Sequence, residues 1–417
     1  MIVTHLKLAN LRAMEVAEFR FQQGFNLIGG VNGVGKTSVL DALAVCLSAV
    51  MKQTNKLRTR VESFTRDDIS VGVDALTVEC GIRLGEKDFA YLVHKPRETS
   101  VPQEKKAGMP REQVYDTPER KEFLGKPPAP VSGRELGGRP LAILFSTNRA
   151  VPSERAPSKG VAAGGVAAAF ADAFAHRELR IGEFAAWMRV QETLRQESPT
   201  AGHVLTAFEK AVSRFLPEYE NLRQGGNDGH QLWIDRGKTT IPVRQLSDGE
   251  RGILALVLDL TRRLAQANPN LNDPAAKAEA VVLIDEIDLH LHPKWQRQIV
   301  HNLRSAFPCC QFIATTHSPQ VIGEVEHERI QIIADGQIYS PTHSYGVDSS
   351  RVLEEIMDSD PRAKEVKELL SEISLKIGNQ QFASARDLLV RLVERLGEPD
   401  PEVTRIKTLL DFVEGKE

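Results

Sequence analysis

Apolar and polar positions recur along this chain with two periods, and the places where the period changes divide it into segments. Within residues 1–95, alternation at a period of two in segments 76–82 and 89–94 predicts β-strands. A buried strand is predicted at 25–28, and the helix expected after it carries apolar residues at helical spacing, namely Val39, Leu40, Leu43 and Val50. We interpret residues 1–95 as the first lobe of an α/β fold.

The middle of the chain, residues 96–230, differs in composition from its flanks. Segment 96–140 is rich in Pro, Lys, Glu and Arg and poor in large apolar residues, so we expect a mobile loop there. A strand at 141–145 and an Ala- and Gly-rich helix at 161–174 should follow. Two amphipathic helices are then predicted by apolar residues at helical spacing. We assign these residues to the core rather than to the stacking of nucleic-acid bases: Ile181, Phe184, Met188, Val204, Phe208, Val212 and Phe215. We expect residues 96–230 to form an inserted, mostly helical lid.

Residues 231–347 return to strand patterns and form the predicted second lobe. A β-hairpin turned at Gly237 is expected first, and the remaining strand signals lie at 281–284, 311–315 and 330–338. Both lobes have to pack into one sheet.

The last segment, residues 348–417, has helical periodicity throughout. Its apolar residues form three stripes, which are Val366, Leu369, Ile373 and Ile377, then Phe382, Ala385, Leu389, Leu392 and Leu396, then Val403, Ile406 and Leu410. Helices of this kind resemble a fragment of a tetratricopeptide-like array, although fewer than three repeats make no solenoid. We interpret the segment as a helical tail that docks a partner or braces a dimer.

Charge and cysteine content exclude several classes of protein. The chain has 417 residues, 53 Lys and Arg against 56 Asp and Glu, and a net charge of −3, so no overall basic field attracts nucleic acid. The best local basic cluster is Lys52, Lys56, Arg58 and Arg60, and without interleaved aromatics it favours a solvated face over a phosphate-binding strip. The four cysteines lack metal-ligand spacing. With no leader-like N-terminus and no run of eighteen apolar residues, we expect a cytoplasmic protein with no membrane contact.

The candidate chemistry begins with GVNGVGKT at residues 30–37, between the predicted strand and helix. Glycines at this spacing let backbone N–H groups close on phosphates, while the lysine spans the outer two phosphates and the hydroxyl binds magnesium. The sequence therefore predicts an ATP site formed by Gly30, Asn32, Gly33, Gly35, Lys36, Thr37 and Ser38.

Two acidic residues end the apolar strand VVLIDE at residues 281–286. A carboxylate at a strand tip beside the phosphate loop can hold the magnesium shell, and the next one can deprotonate the attacking water. We assign Asp285, with Thr37, to Mg²⁺ and Glu286 to the role of general base.

Together with LSDGE at 246–250 and TTHSP at 315–319, these motifs resemble the ABC-type ATPases, in the branch that contains the RecF, SMC and OLD-like proteins. The resemblance covers residues 1–95 and 231–340 and implies an ABC-type P-loop head with two lobes. It also implies that Ser247 and Gly249 act in trans on the γ-phosphate of a head-to-head dimer partner, and that His317 senses this phosphate. The signature has Asp248 and Glu250 where the family usually has glycine and glutamine; an added carboxylate repels phosphate, so we expect slow hydrolysis.

Three other residue groups have competing interpretations. The opening LKLANLRAMEV resembles an LxNFR element, which implies that Asn10 and Arg12 lie near the nucleotide; a solvated Arg12 is the alternative. Metal ligation could be read into Asp288, His290 and His292, but in the family these positions form the dimer-contacting D-loop. The pair Asp358 and Asp360 suggests a Toprim nuclease, but it lies among predicted helices rather than in an alternating fold.

The spacing of the motifs, and the longer sequence segments that contain them, distinguish between the subgroups of these ATPases. Lys36 and Ser247 lie about 210 residues apart, too far for a transporter ATPase, and no sustained heptads of an SMC protein fill the interval. Four segments together most resemble the stand-alone ATPases related to PtuA: TNR at 147–149, LSDGERG, IDEIDLHLHPKWQ and QFIATTHSPQ. Those ATPases are found in Septu and some retron anti-phage systems, where they work with a separately encoded HNH nuclease.

That resemblance implies a dimeric or larger ATP-dependent switch that controls a nuclease effector docked on the lid or the tail. RecF-like DNA repair is the alternative, an ABC transporter ATPase is disfavoured, and nucleic acid is a further ligand to test.

Overall fold

The chain divides into two units, residues 1–348 and 349–417. The structure is a computed structural model, and it describes residues 1–55, 61–97, 119–125, 138–150, 165–197, 199–225, 231–357, 359–360 and 362–414. Most of the predicted loop at 96–140 and most of the predicted basic cluster therefore lie outside the described residues.

The strands in chain order are β1 Ile2–Leu11, β2 Met14–Arg20, β3 Phe25–Gly29, β4 Ala75–Leu84, β5 Lys87–Pro96, β6 Arg120–Leu124, β7 Leu141–Phe145, β8 Glu220–Gly225, β9 Gln231–Arg236, β10 Thr239–Pro242, β11 Ala280–Ile284, β12 Gln311–Thr316, β13 Ile330–Ala334 and β14 Gln337–Tyr339. The helices are α1 Lys36–Asn55, α2 Val166–Phe170, α3 Ile181–Leu194, α4 Pro199–Phe215, α5 Asp248–Ala267, α6 Pro274–Lys277, α7 Pro293–Ala306, α8 Pro319–Ile322, α9 Ser349–Arg351, α10 Lys364–Gly378, α11 Phe382–Leu396 and α12 Pro401–Val413.

A six-stranded sheet in the order β14-β13-β3-β12-β11-β7 joins the two predicted lobes. All neighbouring pairs from β13 to β7 are parallel, and only the edge strand β14 is antiparallel. Every residue of β3, β7, β11 and β12 is buried, as expected for parallel strands covered on both faces. The parallel arrangement brings the carboxyl ends of β3, β11 and β12 to one edge, where polar motif residues follow each strand.

A second, antiparallel sheet has the order β2-β1-β4-β5-β6. Its last strand corrects the prediction of a continuous loop at 96–140, because residues 120–124 pair with β5 in register Tyr91↔Phe123. The centroid of the Phe123 ring lies 4.9 Å from that of Tyr91 and 6.1 Å from that of Phe89. One well-placed aromatic residue thus anchors a strand that begins with three charged residues.

The lid helices are confirmed where the apolar spacing predicts them. All seven residues assigned to the core of α3 and α4 are buried. Phe208 packs against Phe184 at 4.9 Å and against Trp187 at 5.1 Å between ring centroids, so these aromatic rings are core residues. The predicted hairpin is β9–β10, turned at Gly237 with φ of +59°. With β8 it forms a three-stranded sheet in the order β10-β9-β8.

Residues 349–417 contain their own hydrophobic core, built by α10, α11 and α12. Its buried members include residues from all three predicted stripes: Val366, Ile373, Ala385, Leu388, Leu389, Leu392, Val403, Ile406 and Leu410. Asp400 caps α12 and pairs with Arg362 at 3.2 Å. Across the described part of the chain, no helix has both the length and the apolar composition needed to cross a bilayer.

Candidate active site

Residues 30–35 form a loop that leads from β3 into the N-terminus of α1. Gly30, Gly33 and Gly35 have φ of +144°, +86° and +100°, which side-chain-bearing residues rarely adopt. A Cβ on Gly30 would also lie 2.6 Å from the carbonyl oxygen of Ile333. Glycine is therefore required here by the backbone, while Asn32 is exposed at the tip. A curled loop at a helix N-terminus is a suitable anion-binding element.

The side chain of Lys36 is held inside this loop by two main-chain carbonyl groups. Its Nζ donates hydrogen bonds to the carbonyl oxygens of Gly30 and Val31, both at 2.8 Å. Burial lowers the pKa of Lys36, and the carboxylates of Glu286 and Asp285 partly oppose that shift. The ammonium is thus pre-positioned at the mouth of the loop and faces the acidic end of β11.

Two hydroxyl groups converge on the buried carboxylate of Asp285. Thr37 Oγ1 donates to Asp285 Oδ2 at 3.0 Å, and Thr315 Oγ1 donates to Oδ1 at 2.7 Å. Thr37 lies in the first turn of α1, Asp285 follows β11 and Thr315 lies near the end of β12, so three separate motifs meet at one point. Hydroxyl and carboxylate oxygens are the ligands that Mg²⁺ prefers, and the residues present fit that ion.

The backbone of Glu286 has an unusual conformation for a non-glycine residue, with φ of +47°. Its N–H donates to Thr315 Oγ1 at 2.7 Å, and its carbonyl accepts from Arg149 Nη2 at 2.6 Å. Arg149 also donates from Nη1 to the carbonyl oxygens of Asp285 and of Ser146, the latter at 3.0 Å. Burial lowers the pKa of Arg149 to about 10, although Asp285 and Asp288 oppose this shift.

Sequence reasoning used Arg149 only as part of a resemblance and assigned it no place in the site. The available signal was an arginine only four residues beyond a wholly apolar strand, because a charge so close to a buried strand needs partners.

His317 lies beyond β12, and its side chain is 43% exposed. Its Nε2 is 3.4 Å from Oδ2 of Asp288, whose other oxygen accepts from Thr316 Oγ1 at 2.5 Å. His292 accepts from the backbone N–H of Lys294 and caps α7. Among the described residues, no three His, Cys, Asp or Glu side chains form a metal-binding group. Asp288 thus lies beside His317, and the described residues 288–292 do not form a metal-binding group.

The signature residues start helix α5 with a reciprocal cap. Ser247 Oγ and N–H both donate to Glu250 Oε2, at 2.7 and 2.8 Å, and Glu250 N–H donates back to Ser247 Oγ at 3.3 Å. Tyr219 donates to the other oxygen of Glu250 at 2.8 Å. A Cβ on Gly249 would lie 2.4 Å from the carbonyl oxygen of His290, so this glycine permits close packing on 288–292. The Glu250 carboxylate, expected to repel phosphate, serves as a cap within the same chain.

Arg12 lies in the turn between β1 and β2, with φ of +52°. It donates to Ser38 Oγ at 3.0 Å, to Asp41 at 2.8 Å and to Asp68 at 3.0 Å. Although burial alone would lower the pKa of Arg12, these two carboxylates raise it. Arg12 thus contacts the first turn of α1, while its side chain remains 40% exposed.

The Toprim interpretation gains nothing from the structure. Asp358 lies outside the described residues, and Asp360 pairs with Lys367 at the start of α10.

The parallel sheet, the phosphate loop at its edge and the clustered Thr37, Asp285 and Thr315 define a P-loop ATPase head of the ABC type. Two family models match the chain: "AAA domain" at residues 5–124 and "AAA domain, putative AbiEii toxin, Type IV TA system" at residues 194–323.

Individual proteins and solved structures are also similar to this chain. The Escherichia coli protein described as "Retron Ec83 probable ATPase" is 37% identical over 52% of this chain and 41% of its own length. Septu protein PtuA from Bacillus thuringiensis is 23% identical over 86% of this chain and 85% of its own length. A solved SMC head, bound to the C-winged helix domain of ScpA, aligns with a TM-score of 0.48 and 14% identity over 82% of this chain and 97% of its own. This chain is therefore similar to the retron ATPases and to PtuA, and it spans about two fifths of the length of the Escherichia coli retron protein.

Proposed function

We propose that this chain binds ATP with magnesium at residues 30–38 and hydrolyses it slowly. The observation that supports this most directly is the cluster of Thr37, Asp285 and Thr315 beside a loop that already encloses Lys36. Hydroxyl, carboxylate and ammonium groups from three motifs meet there, which is the set that phosphoryl transfer to water needs.

In this proposal the residues divide the work according to their positions. The loop N–H groups and Lys36 bind and orient the phosphates, and Thr37 with Asp285 would hold magnesium, which neutralises phosphate charge when bound. Glu286 accepts the proton of the attacking water. His317, supported by Asp288, contacts the terminal phosphate.

The site is completed by a second copy of the chain, in which Ser247 and Gly249 face the phosphates of the first. One observation supports this arrangement: Ser247 is exposed at the N-terminus of α5, next to the motif that contains Gly249. A helix N-terminus with an exposed hydroxyl is suited to phosphate contact.

The biological role we propose is that of the ATPase subunit of an anti-phage defence system, controlling a separate nuclease effector that docks on the lid or the tail. Similarity to the retron and Septu proteins supports it. RecF-like DNA repair is the second candidate, and its support is a match of 43 residues, 46% identical, to RecF of Geobacter metallireducens. If the defence role holds, removing residues 349–417 should spare ATP binding and abolish co-purification with a nuclease encoded nearby.

Two substitutions test the ATPase proposal. Lys36→Ala should abolish stable ATP binding, because the ammonium enclosed by the loop is lost, while Glu286→Gln should keep binding and stop hydrolysis. Binding is measured by equilibrium titration with a fluorescent ATP analogue, and hydrolysis by phosphate release. Equal loss of binding in both variants contradicts the assignment of Glu286 as the base.

The shared site is tested by mixing two inactive chains. Ser247→Arg should fold but fail to dimerise with ATP, since a bulky cation replaces the contact to the partner's phosphate. Mixed with Lys36→Ala chains, it should rebuild one intact composite site and recover ATP-driven association. Absence of any recovery in light scattering would argue against the dimer.

A further inference from the structure

Arg149 is a buried arginine whose partners are main-chain carbonyl groups at the ends of two neighbouring strands. It lies just beyond β7 and is 5% exposed. Its guanidinium donates to the carbonyl oxygen of Ser146, after β7, and to those of Asp285 and Glu286, after β11. A planar fork with several donors can hold these carbonyls at once, which a lysine ammonium cannot do with the same geometry.

These hydrogen bonds act on the residue assigned as the base. Glu286 has φ of +47°, a conformation that persists only when the surrounding structure fixes it. Its N–H is fixed by Thr315 Oγ1 at 2.7 Å and its carbonyl by Arg149 Nη2 at 2.6 Å. The two contacts flank the Cα of Glu286, so together they determine the direction in which its side chain leaves the backbone.

The electrostatic setting agrees with this geometry. Burial lowers the pKa of Arg149, and the charges of Asp285, Asp288 and Glu286 only partly oppose this effect. A buried cation at this position also lowers the repulsion between the three carboxylates that crowd the end of β11. The same guanidinium borders a cavity with Asp248 and Gly252 of α5, so it adjoins the signature helix as well.

We propose that Arg149 is a positioning residue for hydrolysis, which fixes the backbone of Asp285 and Glu286 so that the base points at the attacking water. The proposal rests on the function proposed above for Glu286. It assigns a purpose to the TNR segment at 147–149, which the ATP site itself does not use.

The test is Arg149→Lys, which keeps the charge and loses the fork. We expect the single-turnover rate constant for hydrolysis to fall roughly 100-fold, because a small misplacement of the base is enough for such a loss. The KM for ATP should stay within about 3-fold of wild type, since the hydrogen bonds that hold Lys36 in the loop involve Gly30 and Val31 rather than Arg149. Single-turnover measurements report only chains that have bound ATP, so an unfolded fraction lowers the amplitude and leaves the rate constant unchanged.

Arg263→Lys is the matched control. Arg263 is 2% exposed and donates to two main-chain carbonyls, those of Ala169 and Ala171, at 2.8 and 2.9 Å. Its replacement should lower thermal stability and change the rate constant by less than about 3-fold. If Arg149→Lys does not fold, Arg149→Gln replaces it. The glutamine amide still offers N–H donors to the main-chain carbonyl groups that Arg149 contacts.

The outcomes separate the two proposals. Slow hydrolysis with normal KM in the Arg149 variant, beside a near-normal rate in the Arg263 control, supports the positioning role. Wild-type rate in the Arg149 variant, or equal rate losses in both variants, overturns it while leaving the ATPase proposal intact. An inactive wild-type chain, indistinguishable from Glu286→Gln, overturns both.

Discussion

Glu250 offers the sharpest test of the structure, because one carboxylate joins the signature motif to the lid. Changing Glu250 to Ala removes the acceptor of Ser247 N–H and Oγ and of the Tyr219 hydroxyl. Loss of a helix cap costs about 1 kcal/mol. Tyr219 is 4% exposed, and its hydroxyl then lacks its acceptor, which adds about 1 kcal/mol.

We therefore expect Glu250→Ala to lower the free energy of unfolding by about 2 kcal/mol, which corresponds to a fall of about 4 °C in Tm for a domain of this size. Glu250→Gln should cost less than about 1 kcal/mol, because glutamine also completes a capping box. It also removes one negative charge from the first turn of α5, so ATP-driven association should strengthen if that turn faces the partner's phosphates.

The assays are thermal melting by circular dichroism and association by light scattering with and without ATP. Asp248→Asn is the control, because it removes the same charge from the same turn and its carboxylate contacts Arg251 rather than Ser247. It should change stability by less than about 0.5 kcal/mol. If Glu250→Ala melts like wild type, or if Asp248→Asn is as destabilising, the reciprocal cap does not hold α5 as described.

Two further predictions concern pH. Burial alone would raise the pKa of Asp259, but Arg263 and Arg262 lower it well below its ordinary value. Asp259→Asn should therefore destabilise the protein by about 3 kcal/mol near neutral pH, and in urea titrations the difference should shrink as pH falls below about 4. Burial, reinforced by the hydrogen bond to Glu250, raises the pKa of Tyr219 to about 12. The protonated phenol stabilises the fold, so the advantage of wild type over Tyr219→Phe should persist below pH 10 and vanish as pH rises through about 12; a constant difference would refute this.

Much of the fold follows from local patterns, because the buried strands are continuous apolar runs and Gly237 marks a hairpin. The strand β6 was missed because its pairing depends on Phe123 meeting Tyr91, which composition does not reveal. The cap at 247–250 was readable from the sequence, since Ser followed three residues later by Glu is its signature. Arg149 was harder, because its carbonyl partners lie 136 and 137 residues further along the chain.

The strand order of the central sheet also constrains how the protein is made. β3, from the first 30 residues, lies between β12 and β13, which come from residues 311–334. At ribosomal speeds of about 5–20 residues per second, β3 waits roughly 15–60 s for its neighbours. During that interval an apolar strand next to an unfinished phosphate loop has no permanent partner, and a truncated product that ends before β12 cannot assemble the cluster around Asp285. A nascent chain thus cannot complete the proposed ATP site until nearly all of the first unit has been synthesised.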